Sequence, residues 1–320
     1  YSRSLIAIAG CTVCLSYKES SSAQMPYSSM CAKGAMILTT STSPPDTVSG
    51  LRATLKYSVP SDEKPIYVAS IGGEEARLDL DGEFQEREVE ISDGRARMAA
   101  AGNDVFHIDR EGFSLVSHES AIVDFYDLAA IESTYEIEIM KLVVAATGAK
   151  RTAVFDHTWR ADSVEQRAAR QIREPSAVIH NDYTNWSGPQ RVRDIYPAEA
   201  DDLLNRRFSI VNVWRAIGHP AETSMLALCD ARSVTDDDLI RSERRAKDRI
   251  GEILMASYNP AHKWIYFPAM SPDEALLLKT YDSSRDGPAR FAIHTAFDHP
   301  APPAGAMPRE SMESRVFAFF

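Results

Sequence analysis

Cysteine is scarce, with only Cys11, Cys14, Cys31 and Cys229 among 320 residues. Three of the four lie in the first tenth of the chain, so no disulfide framework is expected, and a reducing, cytoplasmic setting fits. The lone Cys11–Cys14 pair has no second pair to complete a metal or redox motif. No run reaches the roughly 18 apolar residues that a membrane-crossing helix needs. The apolar stretch that follows Arg3 resembles at most the short core of a signal peptide. Uncompensated basic charge is also missing. The net charge is −11 and the pI about 5.3, which argues against a nucleic-acid partner. The one dense basic run, Arg241 to Arg249, is interleaved with acids and reads as a solvated helix face. No repeat of fixed period is visible.

What is present is a succession of short apolar runs. Residues 1–45 are rich in Ser, Thr and Pro without periodicity and are expected to form a poorly ordered extension. From residue 46 to 320 a single domain is expected. LRATLKYSV, PIYVAS, REVEIS and GFSLVSH read as strands bounded by turn residues. Between residues 124 and 146 the period changes. Ile131, Tyr135, Ile139, Leu142 and Val143 recur at helical spacing, and Gly148 is placed to end the helix. Nine further strand candidates follow, broken by a second helix over 198–206. Many short strands at regular spacing predict a mostly β fold. A double-stranded β-helix, the jelly-roll or cupin-like architecture, with flanking α-helices suits the count.

The stretch SAVIHNDY ends an apolar run with an imidazole and a carboxylate two positions apart. Alternate residues of a strand share a face, so His180 and Asp182 would project together. Most of the other histidines sit in turns; His157 ends another strand and is a rival. His294 stands inside the apolar strand ARFAIHTAFD. Two histidines and one carboxylate on one side of a metal form the set that suits non-haem Fe(II) chemistry with O2. Near the C-terminus, Arg309 and Ser311 form an Arg-x-Ser pattern, and Arg315 follows on the same alternation. A buried arginine holds a carboxylate with two parallel hydrogen bonds, and a serine hydroxyl can add another. That suits the far carboxylate of 2-oxoglutarate, with either Arg309 or Arg315 as the cation. Tyr183, Thr184, Asn212 and Arg215 are placed near the barrel mouth, with Trp186 and Trp214 as candidate walls of an apolar pocket. A zinc hydrolase on the same ligands, or a jelly-roll binding module without catalysis, would be the alternatives.

The segments VIHNDYTNWSGPQRVRD, RFSIVNVWRAI, LALCDARSV, YNPAHKWIYFPAMSPDEALLLKTYD and ARFAIHTAFDHP with PRESMESRVFAFF, taken together and in this order, resemble the non-haem iron oxygenase family of the cephamycin methoxylase subunit and the fungal meroterpenoid endoperoxidase. GFSLVSHESAIVDFYD and AVFDHTWR resemble its N-terminal part. The resemblance spans about residues 51–320. It implies a jelly roll that uses Fe(II), 2-oxoglutarate and O2, with the metal on His180, Asp182 and His294 and the co-substrate near Arg309, Ser311, Arg315, Tyr183 and Asn212. It further implies oxidation of a small organic molecule, in the context of secondary metabolism, by hydroxylation, desaturation or a related step. A homodimer is allowed by this reading, and neither nucleic acid nor membrane is expected as a partner.

Overall fold

The structure is a computed structural model and describes residues 50–246, 249–287 and 289–320. The expectations for residues 1–45, including the Cys11–Cys14 pair, lie outside the described residues. Fifteen strands run through the described part. They begin with β1 (Gly50–Ser58), β2 (Ile66–Val68), β3 (Asp79–Asp81), β4 (Phe84–Asp93) and β5 (Phe113–Ser117). Then come β6 (Arg151–Ala161), β7 (His180–Asn181), β8 (Phe208–Ala216), β9 (Ser224–Cys229) and β10 (Leu239–Ala246). The rest are β11 (Arg249–Ala256), β12 (Trp264–Tyr266), β13 (Glu274–Asp282), β14 (His294–Asp298) and β15 (Glu310–Phe319). Ten make one sheet in the order β1-β4-β12-β9-β14-β7-β11-β10-β2-β3. Five make the other, in the order β5-β13-β8-β15-β6.

Helices fill the gaps: α1 (Gly94–Ala101), α2 (Leu128–Ala130), α3 (Glu136–Thr147), α4 (Val164–Arg170), α5 (Ser187–Ile195) and α6 (Ala200–Leu204). A π-helical turn, Ile131–Tyr135, joins α2 to α3. The long helix predicted for 124–146 is thus present, and Gly148 ends it at φ 72° with its N–H on the Val144 carbonyl. A left-handed residue there is favoured as glycine, which carries no Cβ to clash.

The five-stranded sheet is covered on both faces, which is why its strands read as nearly continuous apolar runs. Every residue of β8 is buried. On the outer face Ile131, Tyr135, Ile139 and Val143 of the long helix pack on Val211, Val213, Leu277 and Val316. On the inner face Phe113, Trp214, Leu276 and Leu278 pack on Leu228 and Ile265 of the ten-stranded sheet. The two sheets therefore face one another over a shared core.

Three expectations are corrected. The described residues of the run from Arg241 to Arg249 are not helical: β10 and β11 are antiparallel strands, and Arg244 lies opposite Gly251. Pairing with β11 on one side and β2 on the other overrides the helical propensity of Arg, Glu and Lys. The strand expected at SAVIHNDY contracts to the two residues of β7. The second helix also shortens, to α6.

Helix α5 is seated close to β13. A Cβ on Gly188 would fall 2.8 Å from the Tyr281 ring. Gly188→Ala is expected to destabilise by about 1–3 kcal/mol through overpacking. Thermal denaturation checks this, and an unchanged midpoint would show that the ring yields freely.

Candidate metal and co-substrate site

His180 and His294 are direct partners across the β7–β14 pair, so both rings leave the sheet on one face. Their centroids are 4.6 Å apart. The two imidazoles are held by the same device. His180 Nδ1 lies 2.8 Å from the Val178 carbonyl, and His294 Nδ1 lies 2.8 Å from the Ala292 carbonyl. A carbonyl oxygen only accepts, so each Nδ1 carries the proton and each Nε2 presents a lone pair. Asp182 follows β7 directly, with Oδ1 3.7 Å from His180 Nε2. One ligand atom from each of the three residues lies within 4.8 Å of the others.

The protonation states suit a cation. Burial, followed by the nearby His294, pushes the His180 pKa down to about 3, so the ring is neutral at physiological pH. Burial alone would raise Asp182. Arg315, with smaller help from the imidazoles and Asn212, instead holds it well below the usual carboxylate range. With His180 neutral, Arg315 is the cation that matters. Metal ligands must be deprotonated to bind, and both of these are.

The second oxygen of Asp182 is occupied. Oδ2 accepts from Asn212 Nδ2 at 2.7 Å and from Arg315 Nε at 3.1 Å. Thr280 Oγ1 donates to Asn212 Oδ1 at 3.1 Å, which fixes the amide so that its N–H2 end faces the carboxylate. Oδ1 is left to face the imidazoles. Partners behind a ligand set its orientation in this way in metal sites generally.

The two C-terminal arginines differ sharply. Arg315 is fully engaged, with Nη1 donating to Asp156 at 2.6 Å and Thr158 at 3.0 Å, Nη2 to Glu313 at 2.5 Å, and Nε to Asp182. Arg309 is 1% exposed and has no carboxylate at ion-pair distance among the described residues. Its Nη1 donates to the Ser224 carbonyl at 2.5 Å, and its guanidinium stands 5.6 Å from the Trp214 ring centroid. Burial, and then repulsion from Arg160, push its pKa down to about 10. Arg309 Nε and Ser311 Oγ are both buried and both lack a hydrogen-bond partner among the described residues. Buried polar groups are rarely left unpaired, because each costs about 1–3 kcal/mol. With Nη1 spent on a carbonyl, the free Nε of the guanidinium and the Ser311 hydroxyl are donors that fit a carboxylate ligand.

Of the other sequence candidates, Tyr183 is at the site and the rest are not. His157 is on the outer face of the small sheet, with its ring on Ser314 at 2.8 Å and Glu136 at 3.1 Å. Arg215 is not at the barrel mouth. It pairs with Met312 on the face beneath the long helix, 5.0 Å from the Tyr135 centroid and bonded to His118. One position along a strand reverses the face, and that parity was not fixed by the sequence. Trp214 is core, packed beneath Arg309. Thr184 bonds Glu252 at 2.7 Å and accepts the Trp186 and Ser187 N–H groups that open α5. Tyr183 is buried beside Asp182, its hydroxyl pKa raised by burial. Sequence reasoning weighed Glu313 as a partner of Arg309, whereas it pairs with Arg315; it missed Asp156 as a counter-ion, which only the β6–β15 pairing reveals.

The family described as Oxidoreductase/YMDC permease-like domain matches residues 55–319. Among the described residues, no helix is long and apolar enough to cross a membrane. The hydroxylase/desaturase CTB9 of Cercospora beticola is 30% identical over 74% of this chain and 78% of its own. The Fe(II)/2-oxoglutarate-dependent dioxygenase nvfI of Aspergillus novofumigatus is 31% identical over 68% of this chain and 79% of its own. Among solved structures, the iron and alpha-ketoglutarate-dependent endoperoxidase NvfI superposes with a TM-score of 0.73 at 24% identity, covering 84% of this chain and 98% of that one.

Proposed function

The chain belongs to the oxidoreductase family of these fungal hydroxylase/desaturases and dioxygenases, and from that membership we propose an Fe(II)- and 2-oxoglutarate-dependent oxygenase acting on a C–H bond of a small organic substrate. The two facing sheets are then read as a double-stranded β-helix with helices on its outer face. His180, Asp182 and His294 hold the iron through two Nε2 atoms and Oδ1. Arg309 and Ser311 hold the far carboxylate of 2-oxoglutarate, and Asn212 and Arg315 orient Asp182. Tyr183 closes the site beside that carboxylate. Iron with 2-oxoglutarate and O2 supplies the oxidising power, while the chain supplies position and dryness. The relatives' range of names, hydroxylase, desaturase and endoperoxidase, supports a secondary-metabolite substrate. The sparse cysteines, with Cys229 buried and its thiol pushed up to about 12 by that burial, fit a reducing compartment.

One observation carries the reading: both imidazoles are tied at Nδ1 to a backbone carbonyl, so both lone pairs face the free oxygen of Asp182. A zinc hydrolase would use the same three ligands but has no use for the orphaned donors of Arg309 and Ser311.

The test is anaerobic titration with Fe(II) and then 2-oxoglutarate, watching for a weak visible charge-transfer band. The band is expected only with both. His180→Ala, Asp182→Ala and His294→Ala should each abolish it, weakening iron more than a hundredfold, whereas His157→Ala should keep it. Tight zinc with no band, or a band that survives all three ligand substitutions, would overturn the reading.

A further inference from the structure

The register of the ten-stranded sheet brings another group to the face that carries the two imidazoles. Cα partners across paired strands share a face, as do alternate residues along a strand. Arg244 pairs with Gly251 on β11 and with Tyr67 on β2. Residues 251, 253 and 255 alternate onto one face, and Met255 pairs with His180. Arg244, Tyr67, His180 and His294 therefore leave the sheet on the same side. The Tyr67 ring lies 6.0 Å from the His180 ring. Arg244 also lines a cleft that reaches Asp182, with Gln190, Trp186 and Ile250 along it.

The acids of this cleft are already satisfied. Asp182 is held by Arg315 and Asn212. Glu252 accepts from Lys64 at 2.6 Å and from Thr184 at 2.7 Å. Asp194 accepts from Gln190 at 2.8 Å and faces Arg249 at 3.9 Å. The side chain of Arg244 has neither hydrogen bond nor ion pair among the described residues. Burial and, more weakly, the nearby Arg315 lower the proton affinity of Arg244 itself. A guanidinium that lines a cleft with its donors uncommitted is able to take an anionic ligand with two parallel hydrogen bonds. Gly251, opposite Arg244, keeps the space open: a Cβ there would meet nothing closer than 4.0 Å. At the rim Trp186 is 53% exposed and Ile250 66% exposed, which gives an apolar surface beside the cation.

We propose that this cleft is the substrate site and that the substrate is an organic carboxylate, its acid group held by Arg244 and its apolar body against Trp186 and Ile250. The word substrate rests on the oxygenase reading; the anion site itself does not.

Isothermal titration of the full chain with 2-naphthoate and with its methyl ester tests the site without turnover. The acid is expected to bind at least tenfold more tightly than the ester. Arg244→Gln should remove that preference and leave ester binding unchanged. Gly251→Leu, which keeps the arginine and fills the space, should weaken both probes. In Arg244→Gln the anaerobic band with Fe(II) and 2-oxoglutarate should persist. Equal affinity for acid and ester, or a preference that survives Arg244→Gln, would overturn the proposal. So would displacement of naphthoate by saturating 2-oxoglutarate, which would assign Arg244 to the co-substrate. A band absent from the unmodified protein would instead strike the oxygenase reading and leave the anion site standing.

Discussion

Arg309→Met is expected to lose 2-oxoglutarate without losing the fold. The guanidinium is buried with its own Nε unpartnered, as is the Ser311 hydroxyl, so its contact with a carboxylate would be desolvated and strong. Removing one member of such a pair costs about 2–5 kcal/mol, so the dissociation constant for 2-oxoglutarate should rise by roughly thirtyfold to several thousandfold. Iron alone should still bind, because Arg309 touches none of the three proposed ligands. Stability should move the other way or not at all. A pKa pushed from 12.5 down to about 10 means that holding the charge without an anion costs about 3 kcal/mol. Methionine removes that charge, while the lost bond to the Ser224 carbonyl offsets part of the gain. The ligand-free variant is expected to melt no lower than the parent. Differential scanning calorimetry with and without Fe(II) and 2-oxoglutarate reads both effects. A variant that keeps the co-substrate would remove Arg309 from the site.

Arg315→Met is expected to do the opposite. It would leave Asp182, Asp156 and Glu313 without the cation that all three share. Breaking a buried pair on one side costs about 3–5 kcal/mol, which for a chain of this size is a fall in melting temperature of roughly 10 °C. The pH dependence follows from Asp182, whose folded pKa is depressed. Its pairing contributes stability above the unfolded value of about 3.9, and that stability is lost as pH falls through and below it. The deficit of Arg315→Met should therefore be largest near neutral pH and shrink in acid. A deficit that is constant from pH 7 to pH 3 would mean that the arginine acts by packing alone. The two variants together separate a ligand-binding arginine from a positioning one, which a single loss of activity could not do.

The sequence made much of this legible, for physical reasons. The His-x-Asp alternation and the solitary imidazole of ARFAIHTAFD were visible because strand periodicity is local. The long helix was visible because its apolar positions recur at helical spacing. What stayed hidden was non-local. Arg309 and Arg315 have equal standing in the sequence, with Glu313 between them on the same alternation, and only the strand order shows that Asp156 lies opposite Arg315 and helps neutralise it. Arg215 sits next to Trp214 yet faces the opposite side of β8. The basic run around Arg244 looked like a solvated helix because mixed charge fits both periods. Its strand pairing with β2 and β11 gave it an inward-facing arginine.

The position of β15 between β6 and β8 also has a consequence for the order of events during synthesis. Arg151 pairs with Phe319, so β6 waits for a strand made some 160 residues later before one of its edges is satisfied. Contacts this distant along the chain slow folding. Arg309, Ser311 and Arg315 all arrive with that same strand. A nascent chain that has already made His180, Asp182 and His294 still lacks the cation that holds Asp182 in place. Loading of a metal before β15 has docked is therefore disfavoured, and a finished small sheet comes before a finished centre.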